Sequence, residues 1–439
     1  MAGNFKQRIK RRERKYFNLG NRLNLRQRLS KELILLIRRW QGLSRGQVKL
    51  KYSLDAWHKR FTQGVAVLYN EPNYEEAVLL RELLKECGIQ DVELVQGTQA
   101  DYRSRMYFVL CPQYYKKLPE FFISVQTEVY DSADWFNAGF IKILERSAAI
   151  LDVSVMNIDA LITKGIDYKD IFLFSFAAER RLYYLARMLL AFEVIDVDKA
   201  FAILKTYEQI QLVDQEFVVL SMPESTKRRS SFCKAYPNIP VFDGLRHIHA
   251  WMGCALSYKY LASFALDKGI KHLAICEDDV LAEEFFAKQY NTVQEFLFQY
   301  MPQNKWDMFV GVLAEVADDI TVLAVKEFEG IKFVTVDQMV STVFNIYNTL
   351  AMEALATWDV YDRDVETNTI DRHLGRVDNG FRTVTTLPFL VGHDGESTLW
   401  GSGTNESYKT RIAAGQDKLA KKVQAFETAK KRTHRYRYR

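Results

Sequence analysis

The sequence predicts an α/β protein built from two blocks, and three observations carry that expectation. Short uninterrupted apolar runs recur along the chain, and each is followed by a longer stretch whose apolar residues return at helical spacing. Such alternation builds mostly parallel sheets covered on both faces. Of 439 residues, 48% are apolar and 26% charged, enough to bury more than one core. Eight prolines and 21 glycines are too few for a low-complexity chain.

The elements follow in order. Residues 1–60 form a basic segment, and an α/β block with a helical connector occupies 61–211. Its strands are Val65–Tyr69, Val92–Val95, Tyr107–Leu110, Phe122–Val125 and Ala149–Val153. Helices are expected over Glu75–Cys87, closed by Gly88, over Ala133–Arg146 and over Val155–Lys164. From Ala177 to Gln211 the spacing of Leu182, Leu185, Met188, Leu189, Phe201 and Leu204 is helical throughout. The second block, 212–405, opens with Phe217–Leu220, a run typical of a central parallel strand. A polar loop over Ser221–Ser231 comes next, then Val241–Asp243, a helix from His249 to Lys268, and a strand Lys271–Cys276. Trp306–Gly311, Ile331–Val336 and Ser341–Tyr347 are further apolar runs. Residues 406–439 read as a basic tail.

Charge is unevenly placed. Residues 1–40 carry a net +11 and residues 409–439 a net +9, which leaves −15 on the body of a chain whose total is +5. Leu25, Leu29, Leu33, Leu36 and Ile37 recur among arginines, a pattern suited to a helix lying on an anionic membrane surface. A basic run does not choose its polyanion by itself, and a solvated end or an RNA-contacting arm has the same composition. The acidic body argues against nucleic acid. Apolar runs such as Leu33–Ile37 fall far short of the roughly 18 residues of a spanning helix. No stretch resembles a signal peptide. Cys87, Cys111, Cys233, Cys254 and Cys276 are widely spaced without a C-x-x-C pair, which excludes a zinc ribbon and argues against a disulfide framework. The expected setting is a reducing cytoplasm.

The chemistry is expected at Glu277-Asp278-Asp279, where an apolar strand runs into three acids. Ligands of open α/β sheets gather at the carboxyl ends of strands. Adjacent carboxylates repel unless a cation neutralises them, and Mn2+ or Mg2+ shared with a substrate's phosphates is the usual solution. Lys227-Arg228-Arg229, in the loop after the first strand of the block, offers guanidinium groups to a diphosphate. An acidic turn or a basic turn in solvent has the same composition, and it is the two together that point to a site.

These residues resemble a family. Phe217–Leu220, Lys227-Arg228-Arg229, Phe242-Asp243-Gly244, Gly253-Cys254-Ala255-Leu256-Ser257, Glu277-Asp278-Asp279 and Trp306-Asp307, in that order over about 215–400, resemble glycosyltransferase family 25, the lipooligosaccharide and lipopolysaccharide sugar transferases. The resemblance implies a GT-A-like fold and a UDP-sugar donor, most often of galactose or glucose, with inversion at the anomeric carbon. It places Asp279 and His393 at a metal ion, Glu277, Arg228, Arg229 and Ser257 on the donor, and Asp278 and Asp371 in catalysis, with Asp371 as base. Asp362 and Asp364 compete for that last role. Two positions depart from the family pattern: Trp251 stands for an acid and Tyr258 for a histidine. They leave open a catalytically degenerate binding or scaffold protein. Phe121–Glu128, Trp135-Phe136 and Leu151–Ser154 with Asn157-Ile158 resemble the N-terminal half of GT-B-like transferases, which implies a Rossmann-like accessory or acceptor-binding domain. The implied partners are a glycan or glycolipid acceptor and the inner face of a bacterial inner membrane.

Overall fold

A computed structural model describes residues 53–130, 135–207, 212–281, 286–375, 379–393 and 405–437, with side chains of the last segment described over 409–431. It is a mixed α/β protein with parallel sheets. The amphipathic stretch expected over 25–37 lies outside the described residues. The chain is first described at α1 (Leu54–Thr62), whose Trp57 is buried and stacks on Phe192 with ring centroids 3.6 Å apart.

The first sheet holds six parallel strands in the order β2-β1-β3-β4-β5-β6: β1 Val65–Tyr69, β2 Val92–Gln96, β3 Met106–Leu110, β4 Phe122–Val125, β5 Ala149–Asp152 and β6 Ile171–Leu173. Strands β1, β3, β4 and β5 are buried at every position, as continuous apolar runs require, whereas the edge strand β2 is partly exposed. Helices α2 (Tyr74–Glu86), α3 (Ala138–Arg146) and α4 (Val155–Thr163) connect them. Helix α3 starts at Ala138 rather than Ala133, because Asn137 Oδ1 accepts from the Gly139 and Phe140 amides and caps it there. The connector is two helices, α5 (Arg181–Ala191) and α6 (Val197–Lys205); Asp196 caps the second by accepting from Lys199 N.

The second sheet has eight strands in the order β12-β13-β15-β11-β14-β9-β7-β8. They are β7 Phe217–Ser221, β8 Val241–Asp243, β9 His272–Glu277, β11 Met308–Val310, β12 Val322–Phe328, β13 Ile331–Val336, β14 Phe344–Asn348 and β15 Thr383–Leu387. Strands β8, β7 and β9 are parallel, and β14 runs antiparallel beside β9. A short pair, β10 (Val280–Leu281) with β16 (Gly392–His393), is set off from this sheet. Helix α5 is buried all round and joins the blocks. Tyr183 Oη donates to Asp243 O at 2.6 Å, and Arg187 Nε donates to Gly244 O at 2.6 Å. One hydrophobic core therefore runs through both sheets.

Two expectations are corrected. The basic loop after β7 is a helix, α7 (Thr226–Ala235), in which Arg229 N donates to Ser225 O at 3.0 Å. The basic C-terminal tail is helix α12 (Asn405–Arg437), docked along its middle. Leu419 and Val423 are buried, Lys418 and Lys422 donate to the carbonyls of Val316, Asp318 and Ile320, and Lys332 pairs with Glu427 at 3.0 Å. Ile412, Leu419, Val423 and Phe426 form a helical apolar stripe that its charge obscured. Among the described residues, no helix is long and apolar enough to cross a membrane.

Candidate functional site

The second sheet changes winding direction at β7, since β8 lies on one side of it and β9 on the other. A crevice forms outside the strand ends at such a point. Register sets Leu220 beside Glu277, which carries Ser221 to the level of Asp278, and Ser221 Oγ donates to Asp278 Oδ2 at 2.7 Å. Helix α8 (Ala250–Asp267) presents Ala250, Trp251 and Cys254 from its first turns, and α11 (Ile370–Leu374) presents Asp371. Together with Arg228, Glu277, Asp279 and His393 they line a cleft of about 400 Å³.

The acids of the triplet have separate surroundings. Glu277 Oε1 lies 3.3 Å from Tyr258 Oη, with Cys254 Sγ 3.9 Å away. Burial, reinforced by the charge of Asp279, pushes its carboxyl up to about 7. Asp278 is buried and does not line the cleft; it is held by Ser221 and by Arg228 Nη2. Burial raises its carboxyl and Arg228 opposes that rise. Asp279 lies 3.2 Å from Arg228 Nη1 and 3.6 Å from His393 Nε2, both through Oδ2, while its Oδ1 is buried without a hydrogen-bond partner. Pairing of β10 with β16 puts Val280 opposite His393 and so delivers the imidazole to Asp279.

Asp371 sits in the first turn of α11, its Oδ1 accepting from Thr369 Oγ1 at 2.8 Å and from Arg372 N at 2.9 Å. The competing Asp362 and Asp364 do not line the cleft. Their carboxylates accept from the amides of Asp364 and Glu366 and shape the exposed loop before α11.

Two of the expected donor residues have other work. Arg229 pairs with Asp243 at 2.5 Å, at the end of β8, and does not line the cleft. Ser257 is buried in α8; its Oγ donates to Gly253 O and accepts from Leu245 N, both at 2.8 Å. A Cβ at Gly253 would lie 2.9 Å from His247 N and 3.0 Å from Arg246 Cα. The Gly-Cys-x-Leu-Ser run thus lets the loop after β8 close onto α8, and only Cys254 in it lines the cleft. Burial, then Glu277, pushes that thiol well up, which disfavours the thiolate.

Of the eight residues chosen from sequence, five line the cleft: Arg228, Glu277, Asp279, Asp371 and His393. Sequence reasoning missed Glu315, Glu366, Arg372 and Arg411, which also line it. Arg411 comes from α12, and a helical reading of the C-terminal segment would have pointed toward it. Trp251, in the same wall, meets Trp358 edge-on with centroids 6.3 Å apart. Tyr258, by contrast, is buried and donates to Thr342 O at 2.8 Å.

Among the described residues, no group of three or more His, Cys, Asp or Glu side chains converges to hold a metal ion. Asp279 and His393 fit a divalent cation only as two protein ligands, with phosphate and water oxygens completing the shell; the unpartnered Oδ1 is the observation that favours this. No protein-family model matches the chain, and a search of curated proteins finds no match.

Proposed function

We infer that the chain is an inverting glycosyltransferase that moves a hexose, galactose or glucose, from a UDP-sugar onto a growing bacterial surface glycan such as lipooligosaccharide or capsule. The observation that carries this reading is the meeting of Arg228, Glu277, Asp279, Asp371 and His393 in one cleft at the carboxyl ends of β7 and β9. Its volume, about 400 Å³, suits a small ligand. A GT-A-like domain is supported by three parallel strands, with the acids at the end of β9 and antiparallel β14 beside it.

In this reading Asp371 takes the acceptor hydroxyl's proton as that oxygen bonds to the anomeric carbon, on the face opposite the departing UDP. Arg228 faces the diphosphate, and Glu277, with a carboxyl near 7, serves a donor hydroxyl as either donor or acceptor of a hydrogen bond. A divalent cation held by Asp279 and His393 would supply neutralising charge to the diphosphate when bound. The six-stranded domain is read as an accessory or acceptor-binding unit. The basic ends are read as holding the protein to the cytoplasmic face of an anionic membrane, and co-sedimentation with phosphatidylglycerol vesicles tests that.

UDP-galactose and UDP-glucose, each with and without Mn2+, should protect the protein against thermal unfolding. Asp279→Asn should abolish the protection and UDP release while leaving the unliganded melting temperature near wild type. Full activity in that variant would refute the assignment. The burial of Tyr258 in the core and the replacement of an acid by Trp251 favour a second reading, a degenerate binding protein. It predicts no calorimetric binding of any UDP-sugar with Mn2+ present.

A further inference from the structure

Arg228 stands where the acidic motif needs a counter-ion. One guanidinium nitrogen reaches Asp278, and Nη1 lies 3.2 Å from Asp279 Oδ2, the oxygen that His393 Nε2 also approaches. The Asp278 carboxylate is wholly buried, and the Arg228 guanidinium is the cation packed beside it. A divalent cation approaching Asp279 therefore meets a carboxylate already shared with an arginine. An arginine side chain keeps its charge in proteins, so the competition is between two cations.

We propose that Arg228 holds the place of the divalent cation in the free protein, and yields Asp279 when cation and donor arrive, turning one arm toward the donor's phosphate oxygens. The fork makes this exchange feasible. A guanidinium has five donors in a plane, so it can keep Asp278 while releasing Asp279. Asp278, tied to Ser221 and out of the cleft, is the pivot. The donor half of the proposal rests on the transferase reading; the exchange at Asp279 does not.

The test is calorimetric titration of the full chain with Mn2+ alone, for wild type, Arg228→Gln and Arg228→Lys, with melting curves to establish folding. Both variants should bind Mn2+ about tenfold more tightly or better, within the usual range of linked effects. Lysine keeps the charge but cannot span two carboxylates. Unchanged affinity in both variants overturns the proposal, as does tightening in the glutamine variant alone, which long-range charge would explain. No Mn2+ binding in any form also overturns it. If Arg228→Gln fails to fold, the lysine variant decides. Repeating the titration with UDP present should reverse the sign, since Arg228 then contacts phosphate; a purely structural arginine would shift both titrations the same way. Tightened Mn2+ binding with no UDP binding in any form would keep the place-holding role and sink the transferase reading.

Discussion

Replacing Glu224 by glutamine tests what joins the two blocks. Glu224 lies in the turn between β7 and α7, and its side chain is wholly buried. Arg187 of α5 grips it twice, Nη1 to Oε1 at 2.5 Å and Nη2 to Oε2 at 2.9 Å; Leu173 N donates to Oε1 at 2.9 Å, and Arg246 Nη1 is 3.9 Å from Oε2. One carboxylate thus serves two buried guanidinium groups and ties β6 and α5 to the turn that launches α7. Two charge-assisted bonds at about 1.5–3 kcal/mol each set the scale, and stranding a buried partner costs about 3–5 kcal/mol. Glu224→Gln should lose that amount of unfolding free energy in urea. Replacing both partners, Arg187→Met with Glu224→Met, should cost less than the sum of the single changes, because no unpaired charge is left between them. Burial pushes the Glu224 carboxyl up, yet the Arg187 charge and hydrogen bonds outweigh that and hold it at about 2. Its folded value is depressed, so its stabilisation is present above the unfolded value of about 4.3 and is lost as pH falls toward 2. The glutamine variant should lack that acid slope. A loss below about 1 kcal/mol, with the slope intact, would refute the argument that this cluster joins the two blocks.

Three further outcomes are expected. Burial pushes the Asp152 carboxyl up to about 7, so the folded state holds a proton that the unfolded chain gives up near 3.9; this stability is full below that value and is lost as pH rises to 7. Asp152→Asn should flatten the decline in urea midpoint between pH 4 and pH 7. Leu419→Ala, at a wholly buried position of α12, should cost about 2–5 kcal/mol, read from urea unfolding. Asp371→Asn should lower transfer by about 10²- to 10⁴-fold, in a UDP-release assay, with UDP–Mn2+ protection against unfolding unchanged.

Most of the parallel strands were legible because burial on both faces writes them as largely apolar runs, as in β1, β3, β4, β7 and β9; the three-residue β6 is too short to stand out and was not among the expected strands. Strand β15 was not legible, since Thr383-Val384-Thr385-Thr386 is polar by composition although every one of those residues is buried between β11 and β13. Edge strand β12 places Lys326 and Glu327 where a core strand would be apolar. Helix α7 has only Phe232 buried and no apolar period, so its arginines read as a loop. The site was legible in chemical type and less so in direction. Arg228 and Arg229 are neighbours in sequence, but one turns to the acids of β9 and the other to Asp243 of β8. Nothing in a run of basic residues distinguishes them until the helix that carries them is known.

The same geometry explains how three adjacent acids can share a strand end. Strand β9 ends at Glu277, and Asp278-Asp279 form the turn into β10, so the three carboxylates leave the strand end in different directions. The cleft is lined by Glu277 and Asp279 and not by Asp278. Their surroundings diverge accordingly: Glu277 meets Tyr258 and Cys254, Asp279 meets His393, and Asp278 meets Ser221. Among the described residues, it is Arg228 that reaches across and touches both aspartates. Asp278 therefore touches Arg228, which lines the cleft, and does not line it itself. Because Asp278 and Asp279 lie in a turn beyond the strand, the apolar run before them does not say which acid faces the cleft; the cleft is lined by Glu277 and Asp279.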